Sequence, residues 1–275
     1  MPPEVWLITG STSGFGAAFV KTLLARGDKV IATARNISKI SHLKAAGASI
    51  LKLDLTDDQS ILNIQAKEAV AIHGKIDVLV NNAGYAHFGT VEEDSRSDWI
   101  NQFQTHVFGT MAVTRAFLPQ FRKQRSGTII FMGSTAAWGG IPTLSAYCSS
   151  KAALPAAIES LQAEILPFNL RTLLIEPGFF KTELLNSTNT HFIDPHIDDY
   201  KSLTDEMYAK FRDAHGTQPN DPVKGVERII EVVKGKRFPQ RLALGEDAVR
   251  AVREKCEEIL RELEEWEGVS GGLGV

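Results

Sequence analysis

The chain has 275 residues, 43% of them hydrophobic and 23% charged, with a formal net charge of −3. Such a chain can bury a sizeable core as one α/β domain, and the lack of any charge block argues against nucleic acid as a partner. The opening Met-Pro-Pro-Glu-Val-Trp lacks the basic region and apolar core of a signal peptide, and no apolar run approaches the roughly 20 residues of a membrane span, so a cytoplasmic protein with no membrane partner is expected.

Short β-rich runs alternate with amphipathic segments: strands at 5–9, 29–34 and 49–53, helices at 17–25 and 37–45. The pattern continues with a helix at 57–72, a strand at 77–80, a long helix at 97–121, a strand at 127–132, a helix at 146–166 and a strand at 170–175. Alternation of this kind predicts βαβ units and a parallel sheet. No repeat, low-complexity stretch or linker interrupts it, so residues 1–267 are read as one domain and 268–275 as a disordered tail.

The first strand-to-helix turn reads Thr9-Gly10-Ser11-Thr12-Ser13-Gly14-Phe15-Gly16. Glycines there allow a tight turn and close approach of a pyrophosphate, and the helix that follows offers free N–H groups and the positive end of its dipole. The alternative is a turn that only lets helix and strand pack. The second strand ends Thr33-Ala34-Arg35. A ribose 2′-hydroxyl calls for a carboxylate at that place and a 2′-phosphate for a cation, so Arg35 points to NADP(H), unless it is simply a solvated strand-end residue. Leu53-Asp54-Leu55 and Asn81-Asn82-Ala83-Gly84 close two further strands, at the sheet edge where ligands sit. Asp54 could meet an adenine amino group, although Asp54 and Asn81 are also ordinary turn formers.

Tyr147 and Lys151 stand four residues apart on a predicted helix and share one face. A phenol ordinarily titrates near about 10, and a neighbouring ammonium favours its ionised form, so Lys151 is expected to draw Tyr147 down toward neutral pH. Ser134, at the end of an apolar strand, could hydrogen-bond the same substrate oxygen. Cys148 and Cys256 have no motif spacing and are read as free thiols. His191 and His196, near Asp194 and Asp198, have no recognised ligand spacing, so no metal site is expected.

Taken together and in order, Thr-Gly-x-x-x-Gly-x-Gly, Asp54, Asn-Asn-Ala-Gly, Ser134, Tyr147-x-x-x-Lys151 and Glu176-Pro177-Gly178-Phe179-Phe180-Lys181-Thr182 resemble the short-chain dehydrogenase/reductase family. The resemblance covers residues 4–182 strongly. It implies a Rossmann-type doubly wound parallel sheet of about seven strands, with hydride exchanged between a nicotinamide and a carbonyl or alcohol carbon. It makes Tyr147 the general acid in reduction and base in oxidation, with Ser134 polarising the carbonyl and Lys151 holding the nicotinamide ribose. Gly10, Ser11, Ser13, Gly14, Phe15 and Gly16 would form the pyrophosphate turn, Asp54 and Leu55 the adenine site, and Asn81, Ala83 and Gly84 the ribose-side wall. Pro177, Gly178 and Thr182 would orient the nicotinamide.

Two places depart from the family pattern. The usual Asn-x-x-Gly reads His106-Val107-Phe108-Gly109, making His106 either a modified member of the proton relay or a packing residue. Pro155, four residues after Lys151, should kink the helix and puts the family's usual helical dimer interface in doubt.

Residues 183–216 form a long segment with Phe192, Tyr200, Met207, Tyr208 and Phe211, and read as a substrate lid. With Tyr85, Phe88, Trp138, Phe179 and Phe180 they suggest a roomy apolar pocket for a bulky ketone or alcohol, unless half of them are plain core. Steroid- or retinol-type dehydrogenases and the natural-product ketoreductases of secondary metabolism are the relatives the resemblance suggests. Residues 247–266 form a helix with one apolar stripe, packing on the sheet or on a partner subunit, so a homo-oligomer (dimer or tetramer) is open. The sequence therefore points to an NADP(H)-dependent oxidoreductase acting on a small molecule. The other readings are an isomerase or dehydratase on the same scaffold and a non-catalytic NADP(H)-sensing protein.

Overall fold

A computed structural model describes residues 2–274. In chain order its regular elements are β1 (Val5–Ile8), α1 (Gly14–Ala25), β2 (Lys29–Ala34), β3 (Ser49–Lys52), α2 (Gln59–His73), β4 (Val78–Asn81) and β5 (Ala86–Phe88). Next come α3 (Arg96–Phe103), a π-helical stretch (Gln104–Gly109), α4 (Thr110–Gln124), β6 (Gly127–Met132), α5 (Ser145–Ile165) and β7 (Leu170–Pro177). β8 (Thr190–Phe192), α6 (Lys201–Asp213), α7 (Pro222–Lys234), β9 (Arg241–Leu244) and α8 (Glu246–Ser270) complete the chain. The main sheet has seven strands in the order β3-β2-β1-β4-β6-β7-β9, and every neighbouring pair in it is parallel. The expected Rossmann-type doubly wound sheet is therefore present.

Its strands read as continuous apolar runs because both faces are covered. Alternate residues serve opposite sides: Trp6 and Ile8 join Phe19, Leu23, Ile229 and Val233 of α1 and α7, whereas Val5 and Leu7 join Leu62, Phe117 and Ile158 of α2, α4 and α5. Each such side chain contributes about 1.5–3 kcal/mol on burial. Because α1 and α4 lie in different layers, the chain leaves β1 toward one face and, after β4, goes on to the other. This opens a crevice at the carboxyl ends of those two adjacent strands, the usual ligand position in such sheets.

Several elements differ from the sequence expectation. Residues 37–45 are not an α-helix but a 3-10 segment, Ile37–Lys44, with Ile40 as its buried anchor. The long helix is interrupted by the π-helical turn Gln104–Gly109. A Cβ on Gly109 would come within 2.5 Å of the Leu55 carbonyl oxygen and 2.8 Å of that of Gln104, so glycine is what lets the loop after β3 lie against this turn. α5 runs on through Pro155 to Ile165 as one helix, the missing N–H leaving a single gap in its ladder rather than ending it.

β5, β8, α7 and β9 lie outside the sequence assignment. β8 pairs in parallel with β5, matching His87 with His191 and Phe88 with Phe192, so the segment 183–216 is tied down by strand pairing as well as by α6. α8 continues to Ser270, and residues 271–274 carry no regular structure, while Val275 of the expected tail lies outside the described residues. α8 does not pack along the sheet: Ala248 is its one buried residue, and Ile259, Leu260, Leu263 and Trp266 are exposed. No helix among the described residues is long and apolar enough to cross a membrane.

Candidate active site

The glycine turn after β1 has the backbone that only glycine adopts cheaply: φ is +67° at Gly10 and +53° at Gly14. A Cβ on Gly16 would run into the Gly10 carbonyl oxygen, and one on Gly10 would lie 2.8 Å from Ala83 Cα. The turn and the Asn-Asn-Ala-Gly loop thus meet as one floor. Ser13 gives α1 no side-chain cap and its first turn holds no acidic residue, so the leading N–H groups remain available to an anion. Ser11 turns inward instead: its hydroxyl donates to Ile8 O at 3.1 Å and accepts from Thr33 N at 3.3 Å, bracing β1 against the end of β2. Phe15 packs its ring 4.9 Å from that of Phe180.

The same loop contains two struts that the sequence reading passes over. Asn82 Nδ2 donates to Thr9 O (2.8 Å) and Gly10 O (3.1 Å), while Thr9 Oγ1 accepts from the N–H groups of Asn82 (2.9 Å) and Ala83 (3.0 Å). Asn81, expected in the ribose-side wall, sends its side chain the other way, Nδ2 donating to Thr114 Oγ1 at 3.0 Å. At the adenine end, Arg35 is exposed just past β2 with no ion pair among the described residues. Asp54 forms an Asx turn, its Oδ1 accepting from Thr56 N (3.0 Å) and Oγ1 (2.8 Å), and Leu55 is buried.

The titratable groups converge on the first two turns of α5. Tyr147 and Lys151 are both buried, and the ammonium nitrogen lies 5.8 Å from the phenol ring centre while donating to Met132 O at 2.9 Å. Ser134, at the end of β6, accepts the Ala136 N–H at 3.1 Å, which leaves its own hydrogen free to donate. Burial pushes the Tyr147 phenol up to about 12, only partly offset by the nearby Ser134 hydroxyl. Burial lowers Lys151 to about 8. The expected lowering of the phenol by Lys151 is therefore not what the protein alone provides: in a site this dry, desolvation outweighs the neighbouring charge.

His106, in the π-helical turn, sets its ring edge-on to Tyr147, with centroids 5.5 Å apart and planes at 87°. Its Nε2 accepts the Tyr85 N–H at 3.3 Å, so Nδ1 carries the hydrogen and donates to Ser150 Oγ at 2.8 Å, and that hydroxyl donates to Tyr147 O at 2.7 Å. Burial first, and the Lys151 charge second, hold this imidazole well below its ordinary value, so it is neutral at physiological pH. Gly84 allows the approach, since a Cβ there would be 3.0 Å from His106 Nε2. Ser150 is thus a member of this cluster that only the fold reveals.

Tyr147 also belongs to an apolar cluster with Phe88, Leu144, Cys148, Met207, Tyr208 and Phe211, with Phe192 packed against it. Not every expected pocket aromatic joins it. Trp138 donates to Glu176 Oε1 at 2.8 Å beneath the Arg241 guanidinium. Phe180 belongs to the core around Phe15, and Tyr200 bonds Glu92 at 2.9 Å on the surface. Phe179 is 45% exposed and stacks on Phe211. The Pro177-to-Thr182 loop closes over the glycine turn, since a Cβ on Gly14 would lie 3.3 Å from Thr182 Cβ. Asp247 fixes this loop by accepting from Phe179 N (2.6 Å) and Asn220 Nδ2 (2.8 Å). At the start of α8, far along the chain, it carries no sequence signal for that role.

Comparison with known proteins agrees with this geometry. Residues 4–192 match the short chain dehydrogenase family. The uncharacterized oxidoreductase YusZ of Bacillus subtilis is 37% identical over 256 residues, covering 87% of this chain and 89% of YusZ. The 3-ketodihydrosphingosine reductase of Bacteroides thetaiotaomicron is 32% identical, with 89% of each chain covered. A short-chain dehydrogenase structure from Streptomyces avermitilis superposes with a TM-score of 0.88 at 35% identity, over 99% of both chains. Other solved proteins of this fold hold NAD, NADH or NADP+. The chain belongs to the short-chain dehydrogenase/reductase family of oxidoreductases.

Proposed function

We propose that the protein uses NADP(H) to interconvert a carbonyl and a secondary alcohol on a bulky, largely apolar small molecule, with Tyr147 as the general acid and base. The observation that carries this reading is the setting of Tyr147: a buried phenol with the Ser134 hydroxyl beside it, a buried ammonium 5.8 Å from its ring, and membership of an apolar cluster. The glycine cradle and the uncapped start of α1 fit a dinucleotide. Gly10, Ser13, Gly14, Phe15 and Gly16 would hold its pyrophosphate, with Asp54 and Leu55 at the adenine. Ala83, Gly84, Lys151, Pro177, Gly178 and Thr182 would hold the nicotinamide half. When bound, that group supplies the hydride in reduction and accepts it in oxidation.

The protein's own residues manage the proton. With its phenol near 12, Tyr147 keeps its hydrogen at neutral pH and gives it to the oxygen that becomes an alkoxide. Ser134 donates a hydrogen bond to the same oxygen, and Lys151, still largely protonated at pH 7, offsets the charge left on the phenolate. NADP(H) rather than NAD(H) is favoured because Ala34 offers no carboxylate and Arg35, just past the end of β2, is exposed and cationic. A bulky apolar ketone is favoured by the cluster around Phe88 and Phe211, and the ketone named in the Bacteroides reductase is an example of a carbonyl substrate in a relative. Residues 183–216 would serve as the lid, and the exposed apolar stripe of α8 would join a homo-oligomer.

The test follows NADPH and NADH absorbance with a panel of apolar ketones and alcohols, comparing wild type with Tyr147→Phe. Turnover by the wild type and a loss of about 10²–10⁴-fold in the variant are expected. No turnover with any substrate, or an unaffected variant, refutes the reading.

A further inference from the structure

We propose that His87, His191 and Asp98 form a site for one divalent transition-metal ion that pins β8 onto β5. The three residues come from three elements, β5, β8 and α3, which is why their spacing in the sequence gives no ligand motif. Their ligand atoms all lie within 4.8 Å of one another. The two histidines are direct partners across the parallel strand pair. Their rings stack at 5.2 Å, and the two Nδ1 atoms face each other at 3.1 Å.

Protonation fixes what those nitrogens can do. His87 Nε2 lies 2.7 Å from Asp94 Oδ1, and both side chains are almost wholly buried, at 3% and 1% exposure. The hydrogen therefore sits on Nε2, and the His87 Nδ1 lone pair points at His191. A histidine held by a carboxylate in this way is the usual support of a metal-bound imidazole. The other Asp94 oxygen, Oδ2, is buried without a hydrogen-bond partner, and neither Asp94 nor Asp98 forms an ion pair with lysine or arginine among the described residues. Two carboxylates beside two imidazoles thus leave negative charge that a dication would balance.

The dimensions match as well. Zinc–nitrogen bonds of about 2.0–2.1 Å in a tetrahedron place two ligand nitrogens about 3.3 Å apart, against the 3.1 Å between the two Nδ1 atoms. Asp98 Oδ2 is held by Ser95 N (3.0 Å) and Oγ (2.6 Å), so the carboxylate has a free oxygen to turn toward the ion. His191 is exposed, giving access from solvent and room for water as the fourth ligand. Two imidazoles and one carboxylate suit Zn(II), Co(II) or Ni(II) rather than magnesium or calcium. Binding requires no redox step and does not depend on the catalytic reading above.

The test uses the full chain, stripped with a chelator and dialysed, and titrated with zinc alone by calorimetry and with Co(II) by visible absorption. One zinc per chain, tetrahedral Co(II) bands and a Tm raised by about 5 °C in excess zinc are expected. His191→Ala, at an exposed position, should weaken binding by at least about 100-fold and abolish the Tm shift. Asp98→Asn should weaken it by at least about tenfold, whereas His196→Ala should bind as wild type does. No zinc uptake by the wild type, or equal uptake by wild type and His191→Ala, would overturn the site.

Discussion

Replacing Lys151 with methionine separates what this residue costs the fold from what it gives the chemistry. Its folded value of about 8 stands against an ordinary 10.5, a difference worth about 3 kcal/mol at 1.36 kcal/mol per pH unit. The sign follows from proton binding. Between pH 8 and 10.5 the unfolded chain still holds a proton that the folded chain has released, so stability rises with pH in that window. The penalty for burying the ammonium is full below about pH 8 and gone above about 10.5. Methionine removes the ammonium and leaves the Met132 carbonyl without its donor, a cost of about 1–3 kcal/mol that does not vary with pH. The quantity to measure is therefore the difference in unfolding free energy between wild type and Lys151→Met, by urea titration at pH 7, 8, 9 and 10. Tyr147, raised from 10.0 to about 12, titrates with the opposite sign above pH 10, which sets the upper limit. The wild type should gain about 2–3 kcal/mol relative to the variant across this range. Parallel curves would refute the buried-ammonium reasoning.

Three further outcomes are expected. Arg35→Glu should raise the KM for NADPH by about 10–100-fold, the loss of one charge-assisted phosphate bond, and improve use of NADH; a wild type that prefers NADH removes the basis for NADP(H). His106→Asn should keep kcat within about tenfold, or about 1.4 kcal/mol of barrier, because the imidazole is neutral with both nitrogens engaged; a larger loss, together with a displaced pH–rate profile, would give the histidine its own role in proton transfer. Leu263→Glu, on the exposed stripe of α8, should lower the mass in analytical ultracentrifugation without changing Tyr147-dependent turnover; an unchanged mass would exclude α8 as the joining surface.

Much of this protein is legible in its sequence because the relevant signals are local. A parallel sheet covered on both faces must be written as apolar runs separated by helices, and a phosphate cradle needs glycines at set distances. A tyrosine and lysine four apart on one helix must share a face. These features placed the sheet, the Gly10-to-Gly16 turn and the Ser134, Tyr147 and Lys151 group. The tertiary structure alone decided matters that depend on distant partners or on how dry a site is. Asn81 and Asn82 look equivalent in sequence, yet pleating sends one side chain to Thr114 and the other to the glycine turn. Which aromatics flank Tyr147 depended on how residues 183–216 return to β5, and a three-residue strand has too little pattern to announce itself. The direction of the Tyr147 shift was decided by burial, a property of packing to which the entire chain contributes and which no spacing of residues encodes.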